Sequence, residues 1–384
     1  MVHSEEGKVP KFLFILLLLI VLTFILGACS NRAHSKPISS AKSEMKKGSL
    51  TPIGQRWKLP ISIPEGEFYK ISGWLSENQV LYITNHEQNS NVYKYNLLSG
   101  KSELVYKSDH PIVTVQISPS KKYILIQSSS SKDEGLVTII DIKGSKIWQQ
   151  SIASYELAFE WNPYNDTEIL VSEFNEDWTF KMLVVDIKGS PKASEVSLPQ
   201  PFNKWIDKET LAYINWNDNS PSLFAPLIVK KFGDNKEKTI YPAVFQFSAF
   251  RNLLMTITVN EQDKSKAVYS FYDKEKKLIS TFTIPQLTKY SDWLVPFYDY
   301  NDELQEFINL RPLKSTEVDS YTEGFQLVTY DLKKGSSKRI LEGVDNAPLN
   351  FSPSGEACLY GNSFEKIIDL QSKKIYEVIK NEKK

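Results

Sequence analysis

The feature that most constrains this chain is a short marker that returns at a nearly fixed interval. Each copy is an apolar stretch ending in a polar residue, then a spacer and usually glycine or lysine. The copies are Tyr93-Lys94-Tyr95-Asn96, Ile139-Ile140-Asp141, Val184-Val185-Asp186, Ile228-Val229-Lys230, Phe271-Tyr272-Asp273, Thr329-Tyr330-Asp331 and Ile367-Ile368-Asp369. They end 45, 45, 44, 43, 58 and 38 residues apart, and Asp141-Ile142-Lys143-Gly144 nearly duplicates Asp186-Ile187-Lys188-Gly189. From Trp57 onward apolar and polar residues alternate in short runs broken by Gly, Pro, Asn, Asp or Ser, with no sustained helical period. A four-stranded unit repeating at about 40–45 residues is a propeller blade.

A second landmark precedes the marker. Ile117-Ser118-Pro119-Ser120-Lys121-Lys122, Trp161-Asn162-Pro163 and Phe351-Ser352-Pro353-Ser354-Gly355 fall between apolar runs. Proline presets φ for a type I turn, and the Ser or Asn before it can bond back to the backbone. Each blade then reads inner strand, tight turn, strand, longer loop, marker strand, lysine-rich turn, outer strand. The expected fold is all-β, a single propeller over residues 52–384 with seven markers. Gly54-Gln55-Arg56-Trp57 is similar to Gly144-Ser145-Lys146-Ile147-Trp148, so it reads as an outer strand that closes the ring and removes an exposed sheet edge.

The N-terminus answers a different question. An apolar run from Phe12 to Leu26 follows Lys8 and Lys11 and ends in Leu26-Gly27-Ala28-Cys29. That pattern is a lipoprotein signal peptide, residues 1–28, with Cys29 as the lipidated residue. Left uncut, the 18 residues from Phe12 to Cys29 would just span a bilayer. Either way the domain sits on the extracytoplasmic face of the cell membrane. Residues 29–51 are Ser- and Lys-rich, with Arg32, Lys36, Lys42, Lys46 and Lys47 against Glu44, and read as a flexible tether. Removing Cys29 leaves Cys358 without a disulfide partner, in an apolar stretch that suits an inert core thiol.

Lipobox, polar tether and degenerate Ser-Pro-turn blades together resemble the YqgU-like β-propeller lipoproteins of Gram-positive bacteria, over essentially the whole mature chain. The resemblance implies six blades where the markers give seven, and the short final repeat is the one to merge with the N-terminal strand. It brings no assigned activity and no catalytic residues.

The chain counts 46 basic and 46 acidic side chains, so no charge excess points to nucleic acid. Only His86 and His110 belong to the domain, neither with a spaced partner for a metal. No nucleophile elbow, phosphate-cradling loop or Cys-x-x-Cys occurs. The expectation is therefore no catalytic residue, no metal and no cofactor. The loops between second and third strands hold the better candidates: Glu173, Glu176, Asp177 and Trp178, then Trp216 and Asp218, then Arg311 in the longest loop. Carboxylates and amides beside tryptophan suit a sugar or peptide, and calcium also takes oxygen ligands. Phe297-Tyr298-Asp299-Tyr300-Asn301-Asp302-Glu303 is either an aromatic binding patch or an inner strand. Two functions follow. One is a membrane-anchored, non-catalytic binding module for an envelope protein, peptide or wall polymer. The other is an extracytoplasmic glycan hydrolase or lyase using rim carboxylates.

Overall fold

Every marker lies at or within one residue of the end of the third strand of a four-stranded antiparallel sheet in the computed structural model, which describes residues 51–216, 222–290 and 292–380. Those third strands are Asn89–Asn96, Glu134–Asp141, Phe180–Asp186, Ala225–Lys231, Lys266–Asp273, Phe325–Asp331 and Lys366–Asp369. The leader, Cys29, the tether up to residue 50 and Asp218 lie outside the described residues.

The marker's polar residue has a local job. Asp141 Oδ1 accepts the N–H groups of Lys143 and Ser145 at 2.8 and 2.9 Å, and Asp273 Oδ1 those of Glu275 and Lys277 at 2.9 Å. Asn96 does the same for Leu98 and Ser99. An Asx side chain that closes its own turn reverses the chain cheaply, so the outer strand follows at once. Buried Ser118, Asn162 and Ser352 act likewise after the first strands. Ser118 Oγ accepts the Tyr123 N–H at 3.0 Å, Asn162 Oδ1 that of Tyr164 at 3.0 Å and Ser352 Oγ that of Ala357 at 3.2 Å.

Alternation along the strands sends apolar side chains to both faces of each thin sheet. Ile124 and Ile126 pack toward the first sheet, while Leu125 between them packs toward the third. Seven buried clusters result, each between neighbouring sheets, and the seventh joins Trp74 and Val80 of the first sheet to Leu359 and Ile367 of the last. No sheet has a core of its own; each is stable only against its neighbours. Fully buried Cys358 sits in one of these clusters, where burial pushes its thiol well up.

The N-terminal expectation needs correction. Ile53–Arg56 is one helical turn, not a strand, and the last sheet completes itself with Lys374–Glu377. Gly54 lies against the Tyr376 ring, where a Cβ would meet Tyr376 Cε1 at 2.2 Å. The turn is held by Asp369, whose Oδ2 accepts the Ile53 N–H at 3.1 Å. The long loop after Glu306–Pro312 is also ordered. Thr316–Glu317 pairs parallel with Leu287–Thr288, which pairs in turn with Trp293–Leu294.

Candidate functional site

Because every sheet is a simple meander, its connections fall on two opposite faces. Turns between first and second strands, and between third and fourth, share one face. Loops between second and third strands, and links from one sheet to the next, share the other. The sequence-derived candidates belong to this second face, here called the loop face.

Glu173, Glu176, Asp177 and Trp178 come together in a single hairpin between Glu168–Phe174 and Phe180–Asp186. Its tip is rigidly built. Asp177 Oδ1 accepts both the N–H and the hydroxyl of Thr179, at 3.0 and 2.6 Å, and the Asn175 amide donates to Thr179 Oγ1 at 2.8 Å. The Thr179 hydroxyl, with its N–H, holds the Asp177 carboxyl below the usual range. Trp178 takes a left-handed φ of 64°, unusual for a bulky residue, and its ring is 60% exposed. It stands edge-on to Tyr155 at 6.4 Å and to buried Phe174 at 5.9 Å. Phe202, 67% exposed, packs on the same Phe174 at 5.6 Å. The link carrying Phe202 is pinned by Ser172 Oγ donating to Pro201 O at 2.6 Å. Two exposed rings, Trp178 and Phe202, thus pack on one buried ring, and a third, Tyr155, stands against Trp178.

Trp216 and Arg311 stand apart from this cluster. Trp216, exposed, follows Thr210–Ile214 in the fourth sheet. Arg311 pairs across the sixth sheet with Gln326 and lies beside Tyr330, where its charge acts to lower a phenol that burial raises. No hydrogen bond, ion pair or ring contact joins either residue to the hairpin among the described residues. Tyr155 and Phe202 were not legible in the sequence, since each belongs to a link between sheets; their only local sign is an aromatic in a short polar connection.

Charge separates the two faces. Among described residues between the strands of the four-stranded sheets, the loop face carries thirteen acids and four lysines, a net of −9. The turns between third and fourth strands carry nine lysines against two acids, a net of +7. The turns between first and second strands, nearer the axis, carry four basic residues against seven acids, −3. Among the described residues, six of the seven exposed aromatics, Tyr155, Trp178, Phe202, Trp216, Tyr290 and Phe297, lie on the acidic loop face.

A second concavity was missed by sequence reasoning. Three adjoining hollows of about 530, 390 and 250 Å³ lie where the first strands of all seven sheets converge, and they open on the turn face. Some of their charged groups stitch sheets together: Lys204 bonds Glu160 at 2.5 Å. Near the hollows, outside their lining, Glu77 accepts the Ser354 N–H and hydroxyl at 2.8 and 2.6 Å. Tyr298–Asn301 is an inner strand, so the ambiguous stretch resolves that way. Its Asp299 accepts the Phe351 N–H at 2.7 Å and the Asn350 amide at 3.3 Å. Burial pushes the Asp299 carboxyl up to about 6 against those bonds. Asp302 is likewise pushed up by the surrounding protein, with Arg251 opposing, although its side chain reaches the water of the hollow. Lys121, beside it, is lowered by burial. These residues come from segments far apart in the chain, so no spacing announces them. Among the described residues no three His, Cys, Asp or Glu side chains are grouped to hold a metal.

Comparison with known proteins fits this architecture. The uncharacterised lipoprotein YqgU of Bacillus subtilis (strain 168) is 27% identical over 369 residues, 96% of this chain and 97% of that protein. That length of match supports the lipoprotein reading. The crystal structure of an uncharacterised protein from Listeria monocytogenes EGD-e superposes with a TM-score of 0.77 at 24% identity, covering 85% of this chain and 98% of that one. The β-propeller domain of the Trilobed protease from Pyrococcus furiosus, described as an open velcro topology, gives 0.53 at 13% identity over 83% and 99%. At those identities the two structures speak for the fold alone. The model of the YqgU-like 6-bladed β-propeller domain matches residues 96–361. That stretch holds five complete sheets, the fourth strand of the first and the first two strands of the last. The description counts six blades where the described residues form seven four-stranded sheets. With more than half the chain matched, this protein belongs to the family of YqgU-like 6-bladed β-propeller domains.

Proposed function

We propose that this protein is a lipid-anchored binding module of the cell envelope, held through Cys29 on the extracytoplasmic face. In this reading it captures an envelope protein or peptide on the loop face. The observation that carries it is the platform of exposed Trp178 and Phe202 on buried Phe174, extended by Tyr155 against Trp178, in the hairpin that carries Glu173, Glu176 and Asp177. Exposed aromatics held at low entropy cost, on a rigid scaffold, favour binding. A loop-face charge of −9 favours a cationic partner over an anionic wall polymer. Neutral glycan fits the aromatic faces as well, and Trp216 with Asp218 and Arg311 would widen the surface.

The alternative, a glycan hydrolase or lyase using rim carboxylates, finds less support at this hairpin. A general acid needs a raised pKa, whereas Thr179 keeps Asp177 low.

Capture from solubilised envelope, with lipidated protein as bait, tests the proposal. Joint substitution Tyr155→Ala, Trp178→Ala and Phe202→Ala should abolish capture with little change in melting temperature. Undiminished capture by that variant contradicts it. Loss of acyl label in Cys29→Ala is the expected result for the anchor.

A further inference from the structure

The chain enters the domain on the basic face. Ile53 is tied to Asp369 at the last of the turns between third and fourth strands, Arg56 pairs with Glu356 at 2.6 Å, and the Lys58 N–H donates to Leu97 O at 2.6 Å at the first of those turns. Thr51, the first described residue, therefore lies on the turn face. All seven third-to-fourth-strand connections carry lysine at or beside the turn, for example Lys143, Lys188, Lys276 and Lys373. Two aliphatic tips, Leu98 and Ile142, stand exposed among them. Between the fourth and fifth sheets a hollow of about 550 Å³ opens beside Lys231, Lys236, Lys238, Lys274 and Lys276. Only Lys231 of these is ion-paired, to Glu209 at 2.9 Å, among the described residues.

We infer that this lysine-studded turn face rests on anionic phospholipid. The +7 of the outer turns on the face where the chain enters, aliphatic tips between cations, and a hollow whose five lysines outnumber its Asp207 and Asp273 all favour a surface of phosphate headgroups. The inference rests on the anchoring proposed above. A flexible Ser- and Lys-rich segment of about 22 residues has an end-to-end distance on the order of 25 Å, so in the anchoring proposed above a lipid at Cys29 would keep the domain close to the bilayer. The attraction then acts within a Debye length of about 8–10 Å and sets orientation. The acidic loop face, with its aromatic platform, points away from the membrane toward its partner.

The test uses the unlipidated mature chain, residues 29–384 with Cys29→Ser; all seven described core clusters lie within residues 53–379, so none is cut. Co-sedimentation is measured with vesicles of phosphatidylglycerol and phosphatidylcholine, with phosphatidylcholine alone, and in competition with polyphosphate. Binding is expected only with phosphatidylglycerol and should collapse in 1 M salt, where the Debye length falls to about 3 Å. Joint reversal Lys143→Glu, Lys236→Glu and Lys274→Glu should weaken it roughly tenfold or more. Glu87→Lys with Glu261→Lys, on the loop face, should not weaken it. Three results overturn the inference: equal binding to neutral vesicles, binding untouched by the lysine reversals (the tether alone responsible), or binding to polyphosphate but not to phosphatidylglycerol vesicles. The mass of Cys29 in full chain from membranes reports anchoring separately, so either reading can fail without the other.

Discussion

Asp369 holds Ile53 across 316 residues of sequence, accepting its backbone N–H at 3.1 Å. The same carboxylate takes the N–H groups of Gln371 and Ser372 at 2.9 and 2.8 Å, so one buried side chain both closes the last turn and fixes the chain's entry. Burial raises its pKa, but the Ser372, Ile53 and Gln371 bonds outweigh that and leave it below the usual range. Asp369→Ala should destabilise by about 2–4 kcal/mol, since three donors lose their acceptor. With a depressed folded pKa, Asp369's contribution is complete above the unfolded value of about 3.9 and is lost as pH falls through the folded one. Denaturant titration at pH 7 and pH 3 checks this; the variant's deficit should shrink at the lower pH.

Asp299 has the opposite sign. Its folded pKa of about 6 exceeds the unfolded value, so the folded state binds more protons between roughly pH 4 and 6. Its charge therefore opposes folding at neutral pH, and the penalty is relieved as pH drops through that window. Asn at this position still accepts the Phe351 N–H without a charge. Asp299→Asn should flatten the stability profile between pH 4 and 6, whereas Asp299→Ala should lose about 1–3 kcal/mol by breaking the link to the last sheet. A profile unchanged in the Asn variant would contradict the assignment.

Gly144 and Gly189 end near-identical tetrapeptides yet should respond differently to alanine. Both have positive φ, 93° and 69°. A Cβ on Gly144 would sit 2.4 Å from Val105 O of the neighbouring sheet, while one on Gly189 meets nothing within 4 Å. Gly189→Ala should cost about 1 kcal/mol, from backbone conformation alone. Gly144→Ala should cost about 2–3 kcal/mol or more, because a backbone neighbour must also move. Thermal unfolding of the two variants side by side decides it.

Trp178 contributes little to the core but occupies a strained backbone position. Trp178→Gly relieves the left-handed φ and gives up two edge-on ring contacts, so stability should stay within about 1 kcal/mol. Envelope capture should nonetheless fall sharply. A variant that loses stability and keeps capture would mark Trp178 as packing.

The sheets were legible because their signals are local: period-two alternation, and Asp141 or Asn96 closing a turn within four residues. The count of four-stranded sheets followed from the markers. The N-terminal turn was not legible. Ile53–Arg56 resembles an outer strand in composition, and only the distant Asp369 and Tyr376 make the helical turn favourable there. The hairpin at Glu173–Trp178 was readable as a polar loop with a tryptophan. Its neighbours Tyr155 and Phe202 were not, since packing between sheets brings them in. Trp216 and Arg311 show the converse: loop position alone does not gather residues into one patch. The axial hollow was hidden for the same reason, being assembled from seven separated strands.

The most direct measurement places a photo-crosslinking amino acid at position 178 in the lipidated protein and irradiates intact cells. A second version carries it at position 276, on the lysine-rich face. Position 178 should yield a discrete adduct with an envelope protein or peptide, and position 276 adducts with phospholipid. A discrete protein adduct from 276 and none from 178 would contradict the assignment of the loop face as the binding surface.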